Sequence, residues 1–282
     1  MKERLILIIS AVLFTVLFSV ALLIPKDRFE YPESDDEFNI AILGDSTFDN
    51  NVSGPYLDEF LAQKSGAHVY SYAMGGTTAS KISKGKEPDF YMDKFNFYNL
   101  ADIIVSKNLC TVFDDTKYVC YYDSDGLEKV RNLSRMNFED CDVLIINYGI
   151  NDSMIGIPVY GRNENDIYSY AGAMRSGISE IRKKYPDLKI VLDSVTFANY
   201  QTREQGVIVT KNNDMNGIRA AYNEALRKIA DEDGEIYFFD SSKFMDVNEE
   251  NWEEYYFDGI HFLYQTKELF SEEMAKYLET IK

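Results

Sequence analysis

The chain contains few of the residues that bind metal ions or nucleic acids. Its 282 residues include 3 Cys and 2 His. No two cysteines have C-x-x-C spacing, and so few histidines cannot complete a thiolate zinc site, so we expect no metal at the cysteines. The 29 basic residues against 47 acidic ones give a net charge of −18. Because binding to a phosphate backbone requires clustered lysines and arginines, this charge disfavours a nucleic-acid partner.

The three cysteines are Cys110, Cys120 and Cys141. If the domain lies outside the cell, where thiols are oxidised, Cys110 and Cys120 could form a bridge that closes a short loop. Cys141 stands at the start of an apolar run, which predicts a buried free thiol. The odd number of cysteines leaves the Cys110–Cys120 pairing open.

The N-terminal part of the chain contains a long hydrophobic run. Leu5–Ile24 has no charged residue over twenty positions, and a helix rising about 1.5 Å per residue would then cross a ~30 Å hydrocarbon core. We predict one transmembrane helix in residues 1–24. Lys2 and Arg4 precede the run, so the positive-inside rule predicts a cytoplasmic N-terminus and an extracytoplasmic remainder. The alternative is a signal peptide cleaved near Ser19–Ala21, which would give a secreted protein, although the run exceeds the usual signal-peptide length.

The remainder divides into a short stalk and one domain. Residues 25–37 contain two prolines and six acidic residues, which predicts an extended acidic stalk. In residues 38–282, short apolar runs predict buried strands, and segments of helical period lie between them. The predicted strands are Ile40–Leu43, Val69–Tyr72, Val143–Tyr148, Lys189–Leu192 and Ile236–Phe239, and the predicted helices are Tyr168–Tyr185, Gly217–Ala230 and Gln265–Ile281. This alternation predicts an α/β domain with a doubly wound parallel sheet.

One long segment, Phe90–Asp140, fits the alternation poorly because it is rich in Tyr, Phe, Asn and Asp. We interpret it as an insertion between the second and third strands. Its aromatic side chains could pack on the surface of the domain, or they could form a wall of a binding cleft.

Polar side chains follow the first and third predicted strands. Gly44–Ser46 comes directly after the first strand, which places Ser46 at the carboxyl end, where open parallel sheets bind ligands. Gly149–Asp152 follows the third strand and contains Asn151, whose amide could donate to a developing oxyanion. Each block alone is also an ordinary turn, in which Ser46 would only cap the next helix.

A glycine pair and a histidine complete the set of candidate residues. Gly75–Gly76 follows the second strand, where a glycine lets a backbone N–H approach a substrate closely. His261 could act as the base for a serine hydroxyl, and Asp258, three residues earlier, could hold its tautomer. His68, the other histidine, lies beside a strand and is predicted to be structural.

Taken in order, the four blocks resemble the signature of the SGNH subgroup of the GDSL esterase and lipase family. That signature has Ser in Gly-Asp-Ser, a Gly, Asn in Gly-x-Asn-Asp and His in Asp-x-x-His. Tyr168–Arg175 is also similar to extracytoplasmic members from Gram-positive bacteria. The resemblance covers residues 38–282 and implies a flavodoxin-like three-layer α/β/α sandwich around a central parallel sheet.

The resemblance also implies a set of site residues and no cofactor. The implied residues are the nucleophile Ser46, the base His261, its partner Asp258, and an oxyanion hole formed by the N–H groups of Ser46 and Gly76 with the Asn151 side chain. The second block lacks the Asn that often precedes the family's glycine, so Gly75 stays an alternative to Gly76. The pair Thr77–Thr78 that follows favours Gly76.

Members of this family hydrolyse esters of lipids, aryl acids and acetylated carbohydrates. A domain tethered to the outer face of a membrane would meet cell-surface glycans, so we expect a serine esterase acting on their O-acetyl groups. The alternatives are an O-acyltransferase that passes the acyl group to a glycan hydroxyl, and a glycan-binding protein without activity. The presence of all four blocks favours an enzyme. No G-x-S-x-G motif surrounds Ser46, which disfavours the α/β-hydrolase fold.

Overall fold

The computed structural model describes residues 38–49, 57–82, 91–109, 126–199, 201–204, 207–210 and 212–282. These ranges belong to one compact unit, residues 36–282. The predicted membrane span, the acidic stalk and the Cys110–Cys120 pair lie outside them. Within the described ranges no helix combines the length and the apolar character needed to cross a membrane.

A five-stranded parallel sheet forms the centre of the domain, in the order β2-β1-β3-β4-β7. The strands are β1 (Asn39–Gly44), β2 (His68–Ser71), β3 (Val143–Asn147), β4 (Lys189–Asp193) and β7 (Ile236–Phe239), and a separate antiparallel hairpin consists of β5 (Gln201–Glu204) and β6 (Val207–Thr210). This order is that of flavodoxin-like sheets. The five predicted strands are therefore confirmed, whereas the hairpin was not predicted.

The described α-helices lie in two layers, one on each face of the sheet. They are α1 (Leu57–Ser65), α2 (Phe97–Ser106), α3 (Gly126–Arg135), α4 (Ile150–Ile155), α5 (Tyr170–Lys184), α6 (Asn212–Ala230) and α7 (Tyr264–Glu279). Helices α1 and α7 pack on one face through residues such as Leu61 and Phe270. Helices α2, α3, α5 and α6 pack on the other, through residues such as Leu100, Val130 and Ile178. The three-layer sandwich is confirmed.

The central strands are apolar on both faces because both faces are covered. In β1, Ile40 and Ile42 belong to the core under α1 and α7. Ala41 and Leu43 alternate with them and belong to the core under the other helices. A strand buried on both sides has no polar face, so it reads as a continuous apolar run in the sequence.

The segment Phe90–Asp140 is not wholly an irregular insertion, which corrects one prediction. It contains α2 and α3, and α2 is a regular crossover helix capped by the Asn96 side chain, which accepts from the N–H of Asn99 at 2.9 Å. Its described phenylalanines Phe95, Phe97 and Phe138 are buried in the core. They do not form the wall of a cleft.

The strand register brings the candidate site residues to one edge of the sheet. Gly44, the last residue of β1, pairs with Asn147 at the end of β3, and Ile42 pairs with Ser71 at the end of β2. Because the three strands are parallel, the turns that follow them leave the sheet at its carboxyl edge.

Candidate active site

Ser46 lies in a tight turn that directly follows β1. The Asp45 N–H donates to the Asn147 carbonyl at 3.2 Å, and the N–H of Phe48 donates back to the Asp45 carbonyl at 3.2 Å. Asp45, Thr47 and Phe48 are buried, whereas Ser46 is partly exposed. The turn therefore presents the serine hydroxyl while its neighbours anchor it to the core.

Three side chains are connected in a line at this edge. The Ser46 Oγ lies 2.9 Å from Nε2 of His261, and Nδ1 of the same ring lies 2.6 Å from Oδ2 of Asp258. When Nδ1 carries the proton and donates it to the carboxylate, Nε2 is left as an acceptor for the serine hydroxyl. This arrangement can remove a proton from a serine as it attacks a carbonyl carbon.

The carboxylate of Asp258 is held in its ionised form. Burial raises the pKa of Asp258, but hydrogen bonds from the His261 ring and from backbone N–H groups outweigh this, so its pKa lies below the ordinary value. Its Oδ1 accepts from the N–H groups of Ile260 at 3.0 Å and His261 at 2.9 Å. An ionised Asp258 can fix the tautomer of His261 and stabilise its protonated form.

The loop that carries Asp258 and His261 has a fixed shape. Gly259 has φ of +89°, and a Cβ there would lie 2.7 Å from the Asn199 carbonyl oxygen, so only glycine fits this position. The N–H of Asn199 donates to the Gly259 carbonyl at 2.8 Å. Phe257, whose side chain is half exposed, stacks on the His261 ring with centroids 5.6 Å apart.

Two of the turns contain a backbone N–H group that donates to none of the residues that the structure describes. No described residue accepts a hydrogen bond from the N–H of Ser46 or of Gly76. The N–H of Gly75, in contrast, donates to Oδ2 of Asp49 at 2.7 Å. Of the two glycines, only Gly76 therefore has an N–H available for a ligand. The place of Gly76 in the oxyanion hole stays a prediction, and the bond between the Gly75 N–H and Asp49 favours Gly76 over Gly75.

Asn151 lies in the first turn of α4 and is partly buried. Its Nδ2 donates to the carbonyl of Thr77, the residue that follows Gly76, at 2.8 Å, and this hydrogen bond fixes the position of the amide. One N–H of the amide then stays available. Gly149, which precedes α4, has φ of +133°, and a Cβ there would lie 2.5 Å from a Val195 methyl. The turn that leads from β3 to Asn151 therefore requires glycine at this position.

Buried carboxyl groups beneath the turns were not identified from the sequence. Asp152 is fully buried and accepts from the N–H groups of Ala79 at 2.9 Å and Ser80 at 3.2 Å, and from the Ser80 hydroxyl at 2.5 Å. Burial raises its pKa to about 6, against these hydrogen bonds. Asp152 therefore ties α4 to the segment that follows Gly76.

Asp45 and Asp193 are two further buried carboxyl groups of this region. Burial raises the pKa of Asp45 to about 6, although the hydrogen bond from the Thr47 N–H and the nearby charge of His261 oppose it. Burial also raises the pKa of Asp193, which accepts from the Asn147 amide at 2.6 Å. Only the tertiary structure shows that these aspartates are buried, since in the sequence they read as turn residues.

Three further predictions concern His68, metal ligands and Cys141. His68 lies exposed at the start of β2, and is not among the residues hydrogen-bonded to Ser46. In the part of the chain that the structure describes, no group of three His, Cys, Asp or Glu side chains is arranged to hold a metal ion. Cys141 is a buried free thiol, as predicted.

The sequence resembles a known protein family. A model of the GDSL-like Lipase/Acylhydrolase family matches residues 114–265. The matched part begins after Ser46 and includes Asn151, Asp258 and His261. No curated protein matches the chain in sequence.

Solved structures share the fold at low sequence identity. A protein from Lactobacillus plantarum is 13% identical with a TM-score of 0.59, over 88% of this chain and 99% of that one. A carbohydrate acetylesterase from Sinorhizobium meliloti is 14% identical with a TM-score of 0.52, over 87% of this chain and 100% of that one. An active-site mutant of a family two carbohydrate esterase from Clostridium thermocellum is 16% identical with a TM-score of 0.51, over 86% and 64%.

Proposed function

This chain belongs to the GDSL-like lipase/acylhydrolase family and is a GDSL-type hydrolase, and we propose that it is a serine esterase that removes O-acetyl groups from extracellular or cell-surface carbohydrate. The observation that carries the proposal is the line of hydrogen bonds from Ser46 through His261 to Asp258. A serine hydroxyl with a neutral imidazole at its oxygen is the arrangement that activates serine for attack on esters.

In the proposed reaction, Ser46 Oγ attacks the acetyl carbonyl carbon while His261 Nε2 takes the hydroxyl proton. The N–H groups of Ser46 and Gly76 and the amide of Asn151 stabilise the resulting oxyanion. The tetrahedral intermediate collapses as His261 returns the proton to the sugar oxygen, which leaves an acetyl group on Ser46. His261 then deprotonates a water molecule that attacks this ester, and it returns the proton to Ser46 Oγ as the bond to the acetyl carbon breaks and acetate is released.

Three considerations support a carbohydrate ester as the substrate. The sequence predicts that the domain lies outside a membrane, where glycans are the abundant acetylated polymers. The half-exposed ring of Phe257 offers a flat apolar surface beside His261, and such a surface can pack against the C–H face of a sugar. A protein of the same fold is a carbohydrate acetylesterase, which agrees with this choice.

We propose the same location that the sequence predicts. Residues 1–24 would anchor the chain to the cell membrane by a single span, and residues 38–282 would face the extracytoplasmic side. A cleaved leader would instead release the domain as a secreted enzyme.

The test is hydrolysis by the purified full-length chain in detergent. We expect release of acetate from an acetylated sugar and from 4-nitrophenyl acetate, and we expect intact-protein mass spectra after an acid quench to contain a singly acetylated chain. Ser46→Ala should fold normally and lose both signals, because the change opens no core cavity. Acetate release by folded Ser46→Ala at the wild-type rate would refute the role of this serine. Transfer of the acetyl group to an added sugar, without free acetate, would identify an acyltransferase instead.

A further inference from the structure

The loop that follows β2 is held by a buried ion pair that neither the triad nor the oxyanion donors include. Asp49 lies just after the Ser46 turn, and Lys129 lies in α3. Lys129 Nζ contacts Asp49 Oδ1 at 2.8 Å, and both side chains are almost fully buried. The pair therefore connects the nucleophile turn to a helix of the long segment between β2 and β3.

Each partner of the pair also binds the backbone of the glycine loop. Asp49 Oδ2 accepts from the N–H of Gly75 at 2.7 Å, and Lys129 Nζ donates to the Ala73 carbonyl at 2.8 Å. Between these two bonds, the N–H of Met74 donates to the Gly44 carbonyl at 2.9 Å. The backbone is thus held at three successive residues immediately before Gly76.

The position of these bonds matters because two glycines follow one another. Glycine has the largest conformational freedom of all residues, so a Gly-Gly sequence does not by itself fix the direction of an N–H group. The bond to Asp49 fixes the peptide plane that ends at Gly75, and the next peptide carries the N–H of Gly76. An oxyanion donor accelerates the reaction only when it is already aimed at the place where charge develops.

We infer that Asp49 and Lys129 are positioning residues that orient the N–H of Gly76 toward the reacting carbonyl. The inference rests on the proposed esterase function. Asp49 acts through Gly75, and Lys129 neutralises the buried carboxylate and holds Ala73. In this role α3 supplies an essential part of the site without touching the substrate.

Two double variants separate positioning from charge burial. A single replacement would leave one charge buried without its partner, which is strongly destabilising, whereas replacing both charges by uncharged residues of similar size is often tolerated. The first, Asp49→Asn with Lys129→Met (the Asn/Met variant), removes both charges but keeps an oxygen that can accept from the N–H of Gly75. The second, Asp49→Leu with Lys129→Met (the Leu/Met variant), removes both charges and the acceptor.

The measurement is steady-state hydrolysis of 4-nitrophenyl acetate over a range of pH, on full-length chains whose thermal unfolding is recorded in parallel. We expect the Leu/Met variant to have kcat lowered about 100-fold, the order for a misaimed oxyanion donor. Its KM should stay within about threefold and the acid limb of its pH profile unchanged, because His261 is not altered. The Asn/Met variant should keep a kcat within about fivefold of wild type.

A matched control lies at the opposite edge of the sheet. Arg182 Nε contacts Asp233 Oδ2 at 3.0 Å, close to the start of β7. Arg182→Met with Asp233→Leu should lower the unfolding temperature without changing kcat. Equal kcat values for the Leu/Met, Asn/Met and wild-type chains would overturn the inference, and so would an equal loss in both double variants.

Folding outcomes also decide the question. If the Leu/Met variant does not fold, Asp49→Ala with Lys129→Met, which leaves room for water at Gly75, takes its place with the same expectations. If this variant also fails to fold while Asn/Met is fully active, the acceptor at position 49 is needed for the fold, and a positioning role is rejected. Absence of hydrolysis by the wild-type chain would refute the esterase function itself, which is a separate result.

Discussion

Asp45 offers the most direct test of the electrostatics beneath the nucleophile. Its side chain is fully buried, Oδ1 accepts from the N–H of Thr47 at 3.0 Å, and Oδ2 has no hydrogen-bond partner among the described residues. Burial raises its pKa from 3.8 to about 6. Asp45→Asn keeps the acceptor for Thr47 and removes the charge, so the free energy of unfolding should change in a pH-dependent way.

The sign follows from proton binding. The pKa of Asp45 is 3.8 in the unfolded chain and about 6 in the folded chain. Between about pH 4 and pH 6 the folded chain therefore holds a proton on Asp45 that the unfolded chain has lost. Stability therefore falls as the pH rises through this window, and ionised Asp45 destabilises the fold above it. A raised pKa of roughly two units corresponds to about 3 kcal/mol at full ionisation. About half of this, on the order of 1.5 kcal/mol, should develop between pH 5 and pH 8.

The assay is urea unfolding of wild type and Asp45→Asn at pH 5 and pH 8, followed by the fluorescence of the single tryptophan, Trp252. The stability of the variant relative to wild type should rise by on the order of 1.5 kcal/mol from the lower pH to the higher. Asp102→Asn, which removes a charge from an exposed position of α2, should give the same difference at both pH values. A pH-independent difference for Asp45→Asn would refute the reasoning.

Four further results are expected. Asp258→Asn should lower kcat by up to about 10⁴-fold, because its amide would donate to Nδ1 and leave Nε2 of His261 protonated toward Ser46; an unchanged rate would reduce the triad to a dyad. Asn151→Ala should lower kcat by about 10²–10³-fold, and an effect on KM alone would make Asn151 a substrate-binding residue. Burial raises the pKa of Cys141 to about 12, so with Cys110 and Cys120 replaced by serine, a thiol reagent at pH 8 should react only after denaturant is added. The full-length chain should sediment with membranes, whereas release of a chain starting near Leu22 would indicate signal cleavage.

The central sheet was predictable because its strands are apolar on both faces. A run such as Ile40–Leu43 has no polar position that could be read as a loop, and the turn that begins at Gly44 follows it directly. Helix α2 was missed for the opposite reason. Its apolar stretch Leu100–Val105 is short, is interrupted by Asp102 and follows Tyr98 and Asn99, and these three residue types are common in loops.

The candidate site was predictable only where its residues form local motifs. Asp258 and His261 stand three residues apart, so their contact could be expected from the sequence. Asp49 and Lys129 are separated by 80 positions, and nothing in the local sequence distinguishes either from a surface charge. Their pairing depends on how α3 crosses the sheet, which composition and periodicity do not determine.

The distance along the chain between Ser46 and His261, 215 residues, has a consequence for how the protein is made. During synthesis Ser46 emerges early, and His261, its proposed base, emerges only when the domain is nearly finished. An incomplete chain therefore carries the nucleophile without the group that activates it. If the proposed roles are correct, such a chain should not hydrolyse esters, and hydrolysis should report only molecules whose last segment has folded against the first strand.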